Sequence, residues 1–186
     1  MPYRVPDAAN PRVQRTRDRM LAAARELLAE AGPEGLTYSL LAERAGVTRQ
    51  TLYRHWPARS ALLTDLILVG AADSYPEPGE EPAAVATAWL TSLRDGLADQ
   101  ARRTAVLAVT AQADADPDSA QALVGLTTDR LAALNELLQP SGIQVAPEEY
   151  ALLSGPLLAR IFFERAEATD AFIASVVNQW LAGRRG

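Results

Sequence analysis

Apolar residues recur along the chain at three- and four-residue spacing, and no stretch alternates apolar and polar residues as a half-buried strand would. This pattern predicts an all-α fold of about nine helices. The first helix is expected to bury Met20, Ala24, Leu27, Leu28 and Ala31. We expect Asn10 to cap its N-terminus and Gly32-Pro33 to end it, because Gly fits the left-handed position after a helix and Pro cannot continue one.

Three further helices are predicted before a polar, proline-rich connector at residues 74–82. Thr37 and Thr48 are placed to cap the second and third helices, since a hydroxyl oxygen accepts hydrogen bonds from the free N–H groups of a first turn. Gly46 lies between these two helices. The fourth helix is expected from Arg59 to about Ala72, with apolar positions at Leu62, Leu63, Leu66, Ile67 and Val69.

Beyond the connector, the apolar pattern predicts a larger helical region. One stripe consists of Val85, Trp89, Leu93 and Leu97. A short helix from Ala105 to Ala113 is almost wholly apolar, so we expect it to be buried on most sides, and a long helix is expected between Pro117 and Pro140. The last two helices, at residues 147–167 and 169–181, are joined by almost no loop and should form an antiparallel hairpin.

Composition and charge narrow the kinds of protein to consider. The chain has no cysteine, which excludes disulfides and thiolate chemistry, and we expect it to be cytoplasmic because no segment reads as a signal peptide or membrane span. Its net charge is −5, but residues 1–60 hold ten arginines against six acidic residues, and residues 61–186 hold eight against seventeen. A basic segment on an acidic body is typical of a nucleic-acid contact confined to one end, although chance also produces such asymmetry.

Residues 38–57 have the spacing of a helix-turn-helix. Ala42 is small where two helices would cross, Gly46 lies in the turn, and Leu52 would anchor the second helix. That helix would lie in the major groove of DNA and present its N-terminal side chains to the bases. Arg49 can donate to guanine O6 and N7, Gln50 can pair with adenine, and the Thr51 methyl can contact a thymine methyl.

Several neighbouring side chains suit contacts with the phosphate backbone, because each can donate a hydrogen bond from a helix end or rim. They are Thr37, Tyr38, Tyr53, His55 and Arg59. Thr48, at the start of the third helix, is included with Arg49, Gln50 and Thr51 among the DNA-binding residues. For Trp56 core packing is the favoured interpretation. His55 is the single histidine, and no second metal-ligating residue lies near it in sequence, so neither a metal nor a cofactor is expected.

The residues just described resemble the signature of the TetR family of bacterial transcription regulators. The matching segments are 36–37, 41–42, 45–48, 51–56 and 59–63. The resemblance implies a three-helix DNA-binding head at residues 1–60, a fourth helix that leads into a ligand-binding and dimerisation domain at residues 61–186, and a homodimer that usually represses transcription. Residues 153–183 are similar to the C-terminal domains of actinobacterial-type members, with the dimer interface on the last two helices.

Within the larger domain, two sets of residues are candidates for binding. For an unknown small-molecule effector we select side chains that mix apolar lining with a few polar groups: Trp89, Leu93, Leu107, Thr110, Gln112, Leu123, Thr127, Leu157 and Phe162. For the homodimer we select an apolar stripe that looks too wide for one core: Leu153, Phe172, Ile173, Val176, Val177 and Trp180. A two-fold dimer would match a palindromic double-stranded operator, with no membrane partner.

Two other classes of protein compete with this hypothesis. A helical enzyme would need a catalytic constellation, and the sequence offers no cysteine, no paired histidines, no glycine-rich phosphate loop and no nucleophile elbow. A DNA-binding protein that ignores ligands is harder to separate from a sensor, because only the size and apolar character of the C-terminal domain indicate a binding cavity. Activation instead of repression also stays open.

Overall fold

The computed structural model of the chain describes residues 11–68 and 75–184, and all regular secondary structure within those ranges is helical. The all-α fold class is therefore confirmed. The described ranges hold nine α-helices: α1 (Pro11–Gly35), α2 (Tyr38–Ala45), α3 (Arg49–His55), α4 (Arg59–Leu68), α5 (Pro82–Ala98), α6 (Gln100–Gln112), α7 (Pro117–Leu138), α8 (Pro147–Phe162) and α9 (Asp170–Gly183). The predicted cap at Asn10, Val69 and the predicted end of the fourth helix near Ala72 lie outside the described residues.

The helix boundaries of the first 60 residues follow the local signals in the sequence. Gly32 has φ 66° and ψ −168°, so the regular part of α1 stops there and one separate helical turn runs on to Gly35. Thr37 and Thr48 cap α2 and α3, and their hydroxyl oxygens accept hydrogen bonds from the backbone N–H groups of Leu40 and Thr51. Each hydroxyl satisfies one of the N–H groups that a first helical turn leaves without a partner.

The chain divides into two compact units, and neither is continuous in sequence. The first unit comprises residues 1–70 and 98–126, so that α6 and the start of α7 join α1 to α4. Within it α6 packs against α1 and α4. Its fully buried apolar side chains include Met20, Leu28, Leu41, Leu52, Leu62, Leu66, Ala105 and Val109. The predicted division at residue 60 separates two functions, whereas the two units are defined by packing. The predicted division therefore stays a prediction.

The second unit comprises residues 71–97 and 127–186, with most of α5, the second part of α7, and α8 and α9. Its core contains Val85, Trp89, Leu134, Leu138, Tyr150, Leu153, Ile173, Val177 and Trp180. The loop between α7 and α8 is tied to α7 by Asn135, whose side chain donates to the Val145 carbonyl at 3.1 Å and accepts from the Val145 N–H at 2.8 Å. Helices α8 and α9 pack against each other.

Three expectations about the helices are wrong. Ala31 is exposed, and α6 is buried only along Ala101, Ala105, Ala108 and Val109, with Leu107 41% exposed, because α6 covers one side of the first unit and presents its other side to water. The third concerns α8, which ends at Phe162 instead of residue 167. Arg165 adopts φ 55°, and the Ala166 N–H bonds back to the Arg160 carbonyl, so the helix closes without the glycine that normally announces such an end.

Candidate nucleic-acid interface

Helices α2 and α3 form the predicted helix-turn-helix. Gly46 has φ 63° and ψ 41°, and its N–H donates to the last turn of α2, at the Ala42 and Glu43 carbonyls. Only a residue without a Cβ adopts this left-handed conformation without strain. Ala42 and Leu52 are buried, as expected for the small residue at the crossing and for the anchor of the second helix. The turn and the packing of the motif are therefore those predicted from the sequence.

The first turn of α3 presents polar side chains to solvent. Arg49 and Gln50 are exposed, and Thr51 is half-buried beside Thr48, with their hydroxyl oxygens 3.0 Å apart. Opposite this exposed face, Leu52 and Trp56 are buried and hold the helix in the core. The arrangement leaves the guanidinium of Arg49 and the amide of Gln50 available to groups outside the protein, and both can form paired hydrogen bonds with base edges.

Tyr38 and Tyr53 form an aromatic pair between α2 and α3. Their ring centroids are 4.7 Å apart in an edge-on arrangement, and the Tyr38 hydroxyl donates to the Trp56 carbonyl at 2.7 Å. Burial and, to a lesser extent, the neighbouring Tyr53 raise the pKa of Tyr38 to about 12, against an opposing effect of Arg59. The hydroxyl therefore keeps its proton and donates it to the Trp56 carbonyl. To contact a phosphate, as expected from the sequence, Tyr38 would have to give up this hydrogen bond.

Four of the five residues selected for phosphate contacts line one cleft. This cleft has a volume of about 330 Å³ and is lined by Glu34, Leu36, Thr37, Tyr38, Tyr53, Pro57 and Arg59. Arg59 is half-buried, and its guanidinium donates a hydrogen bond to the Pro33 carbonyl. The fifth residue, His55, is half-buried with its ring 5.5 Å from that of Trp56. Its pKa lies below the ordinary value because it is buried and because Arg17 and Arg54 repel its cation more than Asp65 attracts it.

Sequence reasoning missed the role of Asp65, which is 2% exposed in α4. Its carboxylate accepts a hydrogen bond from the Trp56 indole and another from the Arg17 guanidinium, both at 2.5 Å and both at the same oxygen. Asp65 therefore joins α1, the end of α3 and α4. The signal in the sequence is an acidic residue inside the apolar run of the fourth helix.

The residues selected for effector binding do not all belong to one compact unit. Leu107, Thr110, Gln112 and Leu123 lie in the first unit, whereas Trp89, Leu93, Thr127, Leu157 and Phe162 lie in the second. Trp89 and Leu157 are fully buried, and Leu107, Thr110 and Thr127 are exposed. The Thr110 hydroxyl donates to the Val106 carbonyl within its own helix. The effector-binding role of these nine residues stays a prediction.

The residues selected for the dimer lie in the core of the chain itself. Leu153, Ile173, Val176, Val177 and Trp180 are all buried within the second unit, and Phe172 is half-buried against the same cluster. The reason given for choosing them, that one chain could not cover so wide a stripe, is therefore wrong. Helices α5 and α7 supply the missing cover through residues such as Val85, Leu134 and Leu138.

Comparison with known proteins agrees with this geometry. Residues 20–66 match the family described as bacterial regulatory proteins, tetR family. The chain is 38% identical over 68 residues to an uncharacterised HTH-type transcriptional regulator, YdeS of Bacillus subtilis, a match that covers 37% of this chain and 34% of that protein. The chain thus matches about a third of the length of this curated relative.

Solved structures resemble a much larger part of the chain. A TetR transcriptional regulator from Agrobacterium tumefaciens has a TM-score of 0.65 at 20% identity, covering 90% of this chain and 93% of the other. The multidrug binding protein EbrR, solved in complex with imidazole, has a TM-score of 0.59 at 16% identity, covering 88% and 93%. Identities this low establish the likeness of the fold alone.

The fold and the exposed first turn of α3 are those of a helix-turn-helix protein. Residues 20–66 match the tetR family of bacterial regulatory proteins, and the fold of the chain resembles that of solved TetR-family regulators. None of the described helices is long and apolar enough to cross a membrane, and the described residues contain no cluster of three or more metal-ligating side chains.

Proposed function

We propose that this chain binds a palindromic DNA operator as a homodimer and represses transcription until a small molecule releases it. The observation that carries the DNA-binding part is the exposure of Arg49 and Gln50 on the first turn of α3, while Leu52 and Trp56 fix the same helix from its buried side. A rigid helix with donors and acceptors at its N-terminal end suits direct readout in the major groove.

The distribution of exposed charge supports contact with a polyanion at this end of the chain. In the described part of residues 1–60 the exposed charged residues are six arginines (Arg12, Arg15, Arg19, Arg44, Arg49 and Arg54) and five acidic residues (Asp18, Glu26, Glu30, Glu34 and Glu43), whereas residues 61–186 carry a clear acidic excess. Exposed arginines gain free energy beside phosphates by releasing the counterions that DNA condenses. We therefore expect binding to weaken steeply as salt is added.

The backbone phosphates are expected at the N-terminus of α2 and along the rim of the cleft. The first N–H groups of a helix favour an anion, and Thr37, Tyr53 and Arg59 lie around this position. Glu34 also lines the cleft, and its charge disfavours a phosphate deep inside. A phosphate would therefore lie at the rim, where Tyr53 is 47% exposed.

We place the dimer interface on the exposed sides of α8 and α9. On α8 Leu152 is 71% exposed and Pro156, about one turn later, is also exposed, and Phe163 directly after the helix is 86% exposed. After the exposed Asp170 at its start, the exposed residues of α9 are uncharged: Ala171, Ala174, Ser175, Asn178, Gln179, Ala182 and Gly183. Interface cores are depleted in charged residues, and small side chains let two helices approach closely. On an acidic chain, an uncharged surface is where two copies repel least.

Release by a small molecule is supported by a protein of similar fold. That protein, EbrR, is described as a multidrug binding protein, which supports a small-molecule site in this chain. A ligand that lowers operator affinity must itself bind more weakly to the DNA complex by the same factor, with couplings of ~1–3 kcal/mol in typical cases. Tight ligands that leave operator affinity unchanged would contradict the sensor role for those compounds.

The experiment that tests DNA binding starts from an operator selected by the purified chain from random duplexes. Arg49→Ala should lose ~1–3 kcal/mol of binding free energy on that operator and little on random DNA, because Arg49 faces base edges. Arg59→Ala should weaken binding to both and lower the slope of log affinity against log salt by about one, because Arg59 faces a phosphate.

Arg165→Ala, which removes one exposed arginine from the second unit, serves as the control for loss of charge alone. It should leave operator affinity at the value of the parent chain. Equal losses on operator and random DNA for both Arg49→Ala and Arg59→Ala would contradict the assigned roles. Failure to enrich any palindrome would contradict the two-fold operator.

A further inference from the structure

An arginine of the second unit is stacked on two aromatic rings. The guanidinium carbon of Arg130, in α7, lies 5.0 Å from the ring centroid of Trp89 in α5 and 6.0 Å from that of Tyr75. The two rings are themselves 5.0 Å apart, at an interplanar angle of 43°. Trp89 is fully buried and Arg130 is half-buried. A cation is thus held against the aromatic core of this unit.

The surroundings of Arg130 differ from those of the other arginines in the second unit. In the described part of the second unit, Arg94 pairs with Asp170 at 2.5 Å, Arg160 pairs with Glu164 at 2.6 Å, and Arg184 pairs with Glu149. Arg165 is exposed to water. No carboxylate of the described residues lies within ion-pair distance of Arg130. Aromatic rings attract a guanidinium through their negative faces, but they offer its N–H groups no conventional hydrogen-bond acceptor.

Two buried donors at this cluster have no acceptor among the described residues. They are the Nε of Arg130 and the Nε1 of Trp89. Both atoms can only donate hydrogen bonds, and a buried donor without an acceptor is costly to the folded state. A group with acceptor atoms would satisfy both donors, and an anion would in addition balance the charge of Arg130.

We propose that Arg130, Trp89 and Tyr75 form a binding site for a small organic carboxylate with an apolar body. The inference rests on the proposed sensor function and specifies its ligand class. The carboxylate would accept from the edge of Arg130 and from the Trp89 indole, and a planar guanidinium matches the two oxygens of a carboxylate. Leu93 and Leu131 are partly buried against the same core and would contact the apolar body.

A single negative charge fits this site better than a phosphate dianion. The second unit contains twelve acidic residues against six arginines, so a second charge on the ligand would be repelled. One guanidinium balances one carboxylate. The apolar surroundings favour a ligand that is otherwise uncharged, because charged groups lose hydration when they enter such a site.

Isothermal titration calorimetry of the full chain tests the chemistry of the ligand. The probes are benzoate, naphthoate and octanoate, each paired with its neutral primary amide. At least one carboxylate should bind saturably with one site per chain, and its amide should bind about tenfold or more weakly, because the amide has no charge to offer Arg130. If no carboxylate binds saturably, or if carboxylates and amides bind equally, the proposal is overturned.

Two variants of Arg130 and one control test the residue. Arg130→Met removes the charge and the donors but keeps an unbranched side chain, and it should lower carboxylate affinity about tenfold or more. Arg130→Lys keeps the charge and loses the planar fork, so it should retain part of the affinity. Arg165→Met removes an exposed arginine of the same unit and should bind the carboxylate like the parent chain.

Circular dichroism establishes that each variant is folded, and Arg130→Lys decides the question if Arg130→Met is not. Parent-like carboxylate affinity in Arg130→Lys, and in Arg130→Met where it folds, would overturn the proposal. Operator affinity is measured in parallel without any carboxylate. Parent-like operator binding together with no carboxylate binding would remove this site and leave the DNA-binding function standing, whereas the reverse pattern would remove the DNA-binding function and leave the site.

Discussion

The carboxylate of Asp65 in α4 accepts a hydrogen bond of 2.5 Å from the indole Nε1 of Trp56, the residue that ends the recognition helix α3. The same oxygen accepts from Arg17 of α1 at 2.5 Å. Arg17 and Asp65 are both buried, so this is an ion pair within the core and not at the surface. Three helices of the first unit are thus fixed to one another at one carboxylate.

Asp65→Asn should destabilise the chain by about 3 kcal/mol, because it leaves the Arg17 cation buried without its counter-charge. The amide oxygen of Asn can still accept the hydrogen bond from Trp56, and the Asn side chain has the shape of Asp. The variant therefore tests the ion pair with Arg17. Asp95→Asn is the matched control, since its pair with Arg94 lies at a carboxylate that is 64% exposed, and it should cost less than about 1 kcal/mol. Urea unfolding followed by circular dichroism measures both. Equal, small losses would show that Asp65 does not stabilise the core through its charge.

Gly46 and Gly125 form a second matched pair. A Cβ added at either position would meet no atom within 4 Å, but only Gly46 has a positive φ, at 63°. Gly46→Ala should therefore destabilise the chain by ~1–2 kcal/mol through backbone strain. Gly125→Ala lies inside helix α7 and should stabilise it by ~0.5–1 kcal/mol. Thermal unfolding should separate the two variants in opposite directions, and a shift of the same sign in both would contradict the strain argument.

The sequence predicted those features whose cause lies within a few residues of chain. Thr37, Gly46 and Thr48 act on the turn next to them, so their roles can be derived without knowing the rest of the fold. The periodicity of Val176 and Trp180 predicted an apolar side of α9 correctly, but periodicity does not tell which helix covers that side. The dimer was therefore placed where the chain's own core lies.

Contacts between distant residues account for the parts of the sites that were missed. Trp89 and Arg130 meet only because α5 and α7 pack together, and neither residue signals the other in the sequence. The role of Asp65 was missed for the same reason, since its partner Arg17 lies 48 residues away in the sequence. The end of α8 was missed because Arg165 takes the left-handed conformation that Gly or Asn would have indicated.

His55 should make stability depend on pH in a defined direction. Burial, with repulsion from Arg17 and Arg54, lowers its pKa below the ordinary value of 6.5. As pH falls through 6.5, His55 takes up a proton in the unfolded chain but not yet in the folded chain. The free energy of unfolding therefore decreases from pH 6.5 downward, until the pH is below the lowered pKa of the folded chain. His55→Gln cannot take up this proton.

The free energy of unfolding from urea titrations should therefore fall between about pH 7 and pH 5 in the parent chain, and should fall less in His55→Gln. Because His55 is the single histidine, few other groups titrate in this interval. The two chains should differ least in this slope above pH 7, where the imidazole is neutral in both the folded and the unfolded state. An equal fall in both chains would show that the environment of His55 does not oppose protonation.

The last prediction separates the proposed dimer surface from the core beneath it. Val176 is 6% exposed and lies in the core of the second unit, whereas Leu152 is 71% exposed on α8. Val176→Arg should unfold the second unit, because it buries a charge that has no partner. Leu152→Arg leaves that core intact and places like charges at the centre of a two-fold interface, where each copy faces the other.

We therefore expect Leu152→Arg to keep the parent's helical content and to sediment as a monomer, with a large loss of operator affinity because a single head contacts few base pairs. Gln139→Arg, at an exposed position just after α7, adds the same charge to the second unit outside α8 and α9 and should stay dimeric. Analytical ultracentrifugation and circular dichroism distinguish these outcomes. A dimer that survives in Leu152→Arg with normal operator affinity would place the interface elsewhere, and a Val176→Arg chain that is folded but monomeric would return it to the stripe first selected from the sequence.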